Sequence, residues 1–206
     1  IHLARLLAHD LVVEDGRAAL VDCVLGGGDL QAALTEGQQA TTTGLWIVDS
    51  DVRAVRSRLG SGSPSVAEYS GTGTVERIGA ATGILLESGR LRMTGGTLGY
   101  YGSVDLWDIQ GTAIAKALVR GLAATGGHAT LAGVDVDGSA EAAVNDTEVT
   151  EGTARSVAEV DVASVEASGG AHVELVNSLV AAPRADTMAE AYGPATEAGD
   201  AVGESR

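Results

Sequence analysis

One short pattern recurs along the chain: an aliphatic residue, a variable one, a small or polar turn former, two variable positions, then often Val or Leu. Its anchors are Leu7, Leu20, Ile47, Leu86, Leu106, Leu131, Val144, Val157 and Leu175, separated by 13, 27, 39, 20, 25, 13, 13 and 18 residues. Several gaps lie near multiples of 13, as expected if each lap of about 26 residues shows the pattern on two faces; the gaps of 20 and 18 do not fit. Two copies match further without a gap, Thr43-Gly44-Leu45-Trp46-Ile47 against Thr82-Gly83-Ile84-Leu85-Leu86. Leu45 and Ile47 fall on one side of a strand and Trp46 and Val48 on the other, because strand side chains alternate. Asp49-Ser50 then suits a bend, since short polar side chains can bond the backbone of a turn. Such a segment cannot bury its aliphatic face alone, but a stack of them covers it from both sides. The expected architecture is all-β, a solenoid of short stacked parallel strands of the right-handed β-helix type.

Composition supports that architecture. Hydrophobic residues make up 45% of the 206, yet aromatics make up 3% and Phe is absent, so the core must be aliphatic. Thin layered interiors suit such side chains better than cores anchored on large rings. The 29 glycines and 3 prolines call for frequent tight turns. The stretch Gly26 to Gln39 stands outside the pattern and reads as a short helix or a loop over the stack. After Ala181 aliphatic residues become scarce. The expected division is therefore a β-helix domain over 1–180 and an acidic, poorly ordered tail over 181–206, whose removal would leave melting almost unchanged.

Charge excludes one large class of partner. The formal net charge is −15, and 15 acidic residues face only three Arg from Asp135 onward. Nucleic acid would meet net repulsion. No run reaches the ~18 apolar residues of a membrane-spanning helix, so no membrane insertion is expected. Cys23 is the single cysteine, which leaves neither an internal disulfide nor a thiolate metal cluster.

The runs from Gly44 to Val52 and from Gly83 to Ser88 resemble the laps of right-handed parallel β-helix proteins of the pectate-lyase-like superfamily, over about Leu7 to Val180. That superfamily holds polysaccharide lyases and hydrolases as well as adhesins, phage tailspikes and non-catalytic surface proteins. The resemblance implies an extracellular or cell-surface setting and contact with a glycan or a surface protein. Unlike the richest members, this chain has only Asn145 and Asn177 and no stacked Asn ladder.

The chemistry-bearing residues are few. Asp49 with Asp51, and Asp135 with Asp137, share a strand side and would suit a hard cation such as calcium. Turn chemistry and solvation is the stronger reading, and no cofactor is expected. Asp105 and Asp108 flank Trp107 and are the candidate catalytic pair for glycoside cleavage, which needs two carboxylates about 5 to 9.5 Å apart. Gly126-Gly127-His128 lacks the carboxylate partners that would make it catalytic and reads as a turn. His2, His9 and His172 have no ligand-like spacing, so no zinc site is expected. Asn145-Asp146-Thr147 matches a glycosylation sequon. The most informative stripe combines Trp46, Trp107, Tyr100 and Tyr101 as platforms with Arg90 and Arg92, which project from one strand side, and with Arg53, Arg56 and Arg58. Guanidinium forks suit carboxylate or sulfate groups. Trp46, Trp107, Arg90 and Arg92 are the expected ligand-binding residues. The function expected is a non-catalytic surface or secreted scaffold with glycan contact; the alternative is a polysaccharide lyase or glycoside hydrolase of the same fold.

Overall fold

The computed structural model describes residues 1–8, 10–26, 39–61, 65–148, 153–192, 195–196 and 200–205. The first strands are β1 (His2–Ala4), β2 (Leu7–Ala8), β3 (Leu11–Glu14), β4 (Arg17–Val21), β5 (Val24–Leu25), β6 (Gln39–Val48) and β7 (Ser50–Gly60). Then come β8 (Ser65–Glu68), β9 (Gly71–Leu86), β10 (Gly89–Trp107), β11 (Ile109–Ala124), β12 (His128–Ala132), β13 (Asp135–Glu148) and β14 (Thr153–Ala167). The chain closes with β15 (His172–Val176), β16 (Leu179–Val180), β17 (Arg184–Tyr192), β18 (Ala195–Thr196) and β19 (Asp200–Ser205). The described residues contain no helix, and so no helix long and apolar enough to cross a membrane. Most of the segment Gly26 to Gln39 lies outside the described residues; Gln39 itself opens β6.

Among the described residues every strand pairing is parallel, and the pairings form three ladders. The first joins β1, β4, β7, β10, β12 and β15, the second runs through β5, β7, β10, β13 and β17, and the third through β3, β6, β9, β11, β14 and β19. Parallel neighbours cannot be joined by a tight turn, so the chain must pass through other strands before it returns. Register shows how far it travels. Arg17 pairs Asp51, Asp51 pairs Arg90, Arg90 pairs His128 and His128 pairs His172, steps of 34, 39, 38 and 44 residues. Only the first step, His2 to Ala19, is as short as 17. Beyond that step, register partners on this ladder thus stand farther apart than the 26 residues expected from the anchors, because those anchors belong to different ladders. Leu20, Leu131 and Leu175 lie on the first, Leu106 pairs Val144 on the second, and Ile47 pairs Leu86 on the third. The matched stretches at 43–47 and 82–86 are register partners, Thr43 on Thr82 and Ile47 on Leu86.

Alternation along each strand sends one set of side chains inward. Leu20, Ala54, Met93 and Leu131 form one aliphatic column, and Leu25, Leu59, Leu98 and Val136 another, all buried. Leu175 continues the first column but is 46% exposed, since no described strand covers β15 on its outer side. Within the stretch assigned to a tail, β17 pairs in register with β13, and Ala185 and Ala189 pack on the core. Composition hid this because the inward positions are Ala, small enough to look like linker residues.

A further column turns the corner after the first ladder. Arg5, Asp22, Arg56, Gly95, Gly133 and Asn177 all have φ between 47° and 62° and stand one step apart. The left-handed conformation favours Gly, Asn and Asp. Asn177 therefore occupies this corner alone among several residue types, in place of an Asn ladder. Arg56 Nε donates to Asp22 Oδ1 at 2.8 Å across two of these corners.

Candidate ligand-binding face

The outward side chains of the first ladder form two columns. One reads Arg17, Asp51, Arg90, His128 and His172; the other reads Ala19, Arg53, Arg92, Thr130 and Glu174. Alternation with buried Val52, Ala54, Leu91 and Met93 fixes these side chains outward. Neighbouring strands lie about 4.8 Å apart, so Arg53 and Arg92 stand side by side, with Arg90 about 6.6 Å along the strand from Arg92. Like charges placed directly opposite one another are destabilising. Among the described residues, no carboxylate relieves them within ion-pair distance. A hollow of about 250 Å³ lies among Ile1, Arg17, Asp51, Arg53 and Arg92.

Four other cations, Arg56, Arg77, Lys116 and Arg120, are paired with carboxylates. On the third ladder Lys116 Nζ lies 2.9 Å from Glu76 and 3.6 Å from Glu159. The Glu76 hydrogen bond raises the Lys116 pKa against the small cost of burial. Arg120 is clamped between Asp161, at 2.7 Å, and Glu166. Arg77 points inward, almost fully buried, and is paired with Glu68. Among the described residues, Arg53, Arg90 and Arg92 on the first ladder have no such partner, and neither do Arg58, Arg155 and Arg184 on the other ladders.

Two histidines join the same face. His128 opens β12 as an exposed strand residue beside His172, with ring centroids 5.7 Å apart. This corrects the reading of His128 as a turn residue; Gly126 and Gly127 make the bend that precedes it, Gly127 at φ 76°. Sequence could not show the pair, because its members are 44 residues apart and only register unites them.

The remaining candidates fall elsewhere. Trp46 is 38% exposed on the third ladder between Val12 and Leu85, and Trp107 is 40% exposed at the end of β10 with Asn145 as its register partner. Arg90 and Arg92 thus share a face with Arg53 but not with either tryptophan. Tyr100 is no platform. It points inward at 3% exposure, into space left by Gly121 and Gly138, and its hydroxyl lies 2.6 Å from Ser164 Oγ. Burial pushes its phenol up.

Asp105 projects from the outer face of the second ladder, while Asp108 sits in the left-handed corner after β10 at φ 50°. The charge that bears on Asp105 is that of Glu141, diagonally across on β13; burial first and Glu141 second raise the Asp105 carboxyl. Asp49 occupies a left-handed corner at φ 45°, and Asp135 and Asp137 are exposed on β13. No three His, Cys, Asp or Glu side chains among the described residues converge as a metal-binding group. Asn145 is only 5% exposed, so the sequon is not open to a glycosyl donor in the folded chain. Cys23 is buried, its Sγ 3.4 Å from the Leu3 carbonyl.

Comparison with protein-family models, with curated proteins and with solved structures finds no match for this chain.

Proposed function

We propose that this chain is a non-catalytic binding module of the right-handed parallel β-helix type, similar to the pectate-lyase-like superfamily. On this reading it serves outside the cell or at its surface as a structural or adhesive scaffold, and its arginine face holds an acidic glycan. The observation that carries the reading is the exposed set Arg53, Arg90 and Arg92, side by side and without carboxylate partners in a chain of net charge −15. A guanidinium fork bonds carboxylate or sulfate through two parallel N–H groups, and an anion lying across Arg53 and Arg92 would relieve their mutual repulsion. Titration calorimetry with a sulfated and a carboxylated polysaccharide tests this. Arg53→Ala and Arg92→Ala should each weaken binding about tenfold, a loss of ~1.4 kcal/mol, and rising salt should weaken it further. Unchanged affinity in both variants sinks the reading.

One observation favours a carbohydrate-active enzyme instead: the half-buried Asp105 carboxyl lies diagonally across from Glu141, and burial first and Glu141 second raise it above the ordinary aspartate range, the direction expected of an acid beside its partner. Incubation with polysaccharides and a reducing-end assay decides between the two. Turnover abolished by Asp105→Asn would establish the enzyme, and its absence is the outcome expected of the module.

A further inference from the structure

On the outer face of the second ladder lies a trough of about 390 Å³, within the size range of small-ligand sites. Its floor is backbone, because Gly60 and Gly99 are register partners and carry no side chain. Arg58 and Val24, themselves register partners, form one wall, Tyr101 the other, and Asp137 stands beside Gly99 on the next strand. Tyr101 is 38% exposed, and its backbone is fixed by Ser61, whose Oγ accepts from the Tyr101 N–H at 3.0 Å. Neither Arg58 nor Asp137 has an ion-pair partner among the described residues. A Cβ placed on Gly99 would meet no atom within 4 Å, so the space above it is open.

We propose that this trough is a subsite for one neutral hexopyranose ring. The chemistry follows from its walls. An aromatic face packs against the C–H face of a sugar, a carboxylate accepts from two vicinal hydroxyls, and a guanidinium donates to hydroxyl or ring oxygens. One cation and one anion flank the floor, so a charged ligand of either sign would meet repulsion from one wall, whereas a polyol satisfies both. The site is separate from the arginine face of the first ladder and does not depend on it.

Saturation-transfer NMR on the full chain, with the methyl pyranosides of glucose, galactose and mannose, tests the proposal. Transfer to the ring C–H protons of at least one is expected. Tyr101→Ala should weaken that binding about tenfold, and Gly99→Val, which fills the trough, should abolish it with the melting temperature unchanged. Arg92→Ala should leave it intact, so that failure of this site and failure of the acidic-glycan reading are told apart. Asp137→Asn serves as the second variant should Gly99→Val not fold, with the same tenfold loss expected. Absence of transfer from all three sugars, or wild-type transfer in folded Gly99→Val or in both Tyr101→Ala and Asp137→Asn, overturns the assignment.

Discussion

Asp105 shows how one residue's surroundings set a pH dependence. Its carboxyl is raised by burial and by Glu141, so the folded chain holds that proton more tightly than the unfolded chain does. Stability is therefore lost as pH climbs through the ordinary aspartate value of 3.8, and the loss is complete above the raised one. Asp105→Asn should accordingly melt higher than the parent at pH 7, and the difference should disappear at pH below 3.8, as circular dichroism melts across that range would show. A gain that persists in acid would mean that charge is not its source. Tyr100 teaches a complementary lesson. Its neighbours in sequence, Gly99 and Tyr101, face outward, and the alternation could have placed it inward from the start. What could not be foreseen is that Gly121 and Gly138 would make room for a ring and that Ser164 would meet its hydroxyl. Those partners are 21, 38 and 64 residues away in the sequence.

At the scale of the element, alternation within strands was legible and assignment of strands to ladders was not. Leu20, Ile47, Leu86, Leu131 and Val144 are buried in the core as the recurring pattern predicts, whereas Val157 is covered on the outer side of β14, beside Ile114, with Ala158 and Val160 taking the inward positions. The pattern marks any strand that presents an aliphatic to the interior, whichever ladder it joins, which is why the anchors alone suggested too short a period. Leu175 is the informative exception: it has the pattern and the register of Leu131 but no strand beyond it. Ile47→Ala and Leu86→Ala should each cost about 2 to 5 kcal/mol, as buried large-to-small changes do, whereas Leu175→Ala should cost less than about 1 kcal/mol. Denaturant titrations of the three variants check this, and equal costs at Ile47 and Leu175 would contradict the placement of β15 at an outer edge. For the candidate site, Arg90 and Arg92 were visible because they are two apart on one strand. Arg53 was grouped with them in the stripe but together with Arg56 and Arg58, which do not share its outward column, and His128 and His172 were not recognisable as companions, since the steps of 38 and 44 residues that align them leave no local trace.

For the molecule as a whole, the acidic end of the chain has a structural share that its composition conceals. β17 and β19 pair with β13 and β14, so deleting everything after Ala181 would leave those strands open on one side and uncover inward residues such as Ala142 and Val144. Such a truncation should lower the melting temperature by several degrees and broaden the transition, measured by calorimetry. An unchanged transition would show that the last strands add nothing to the core. Parallel register has a further consequence, for how the chain reaches this state. No described strand has its partner across a hairpin; apart from the 17-residue step at the start, each waits for a segment 34 to 45 residues away. Loop-closure entropy must be met before any such pairing returns energy, so early folding has no cheap local contact on which to begin. The first pair of neighbouring strands is then the slow event, and every later strand settles on an edge already in place. Refolding from denaturant should be slow for a chain of this length, and the half-built edges exposed in the meantime are where one molecule can add its strand to another.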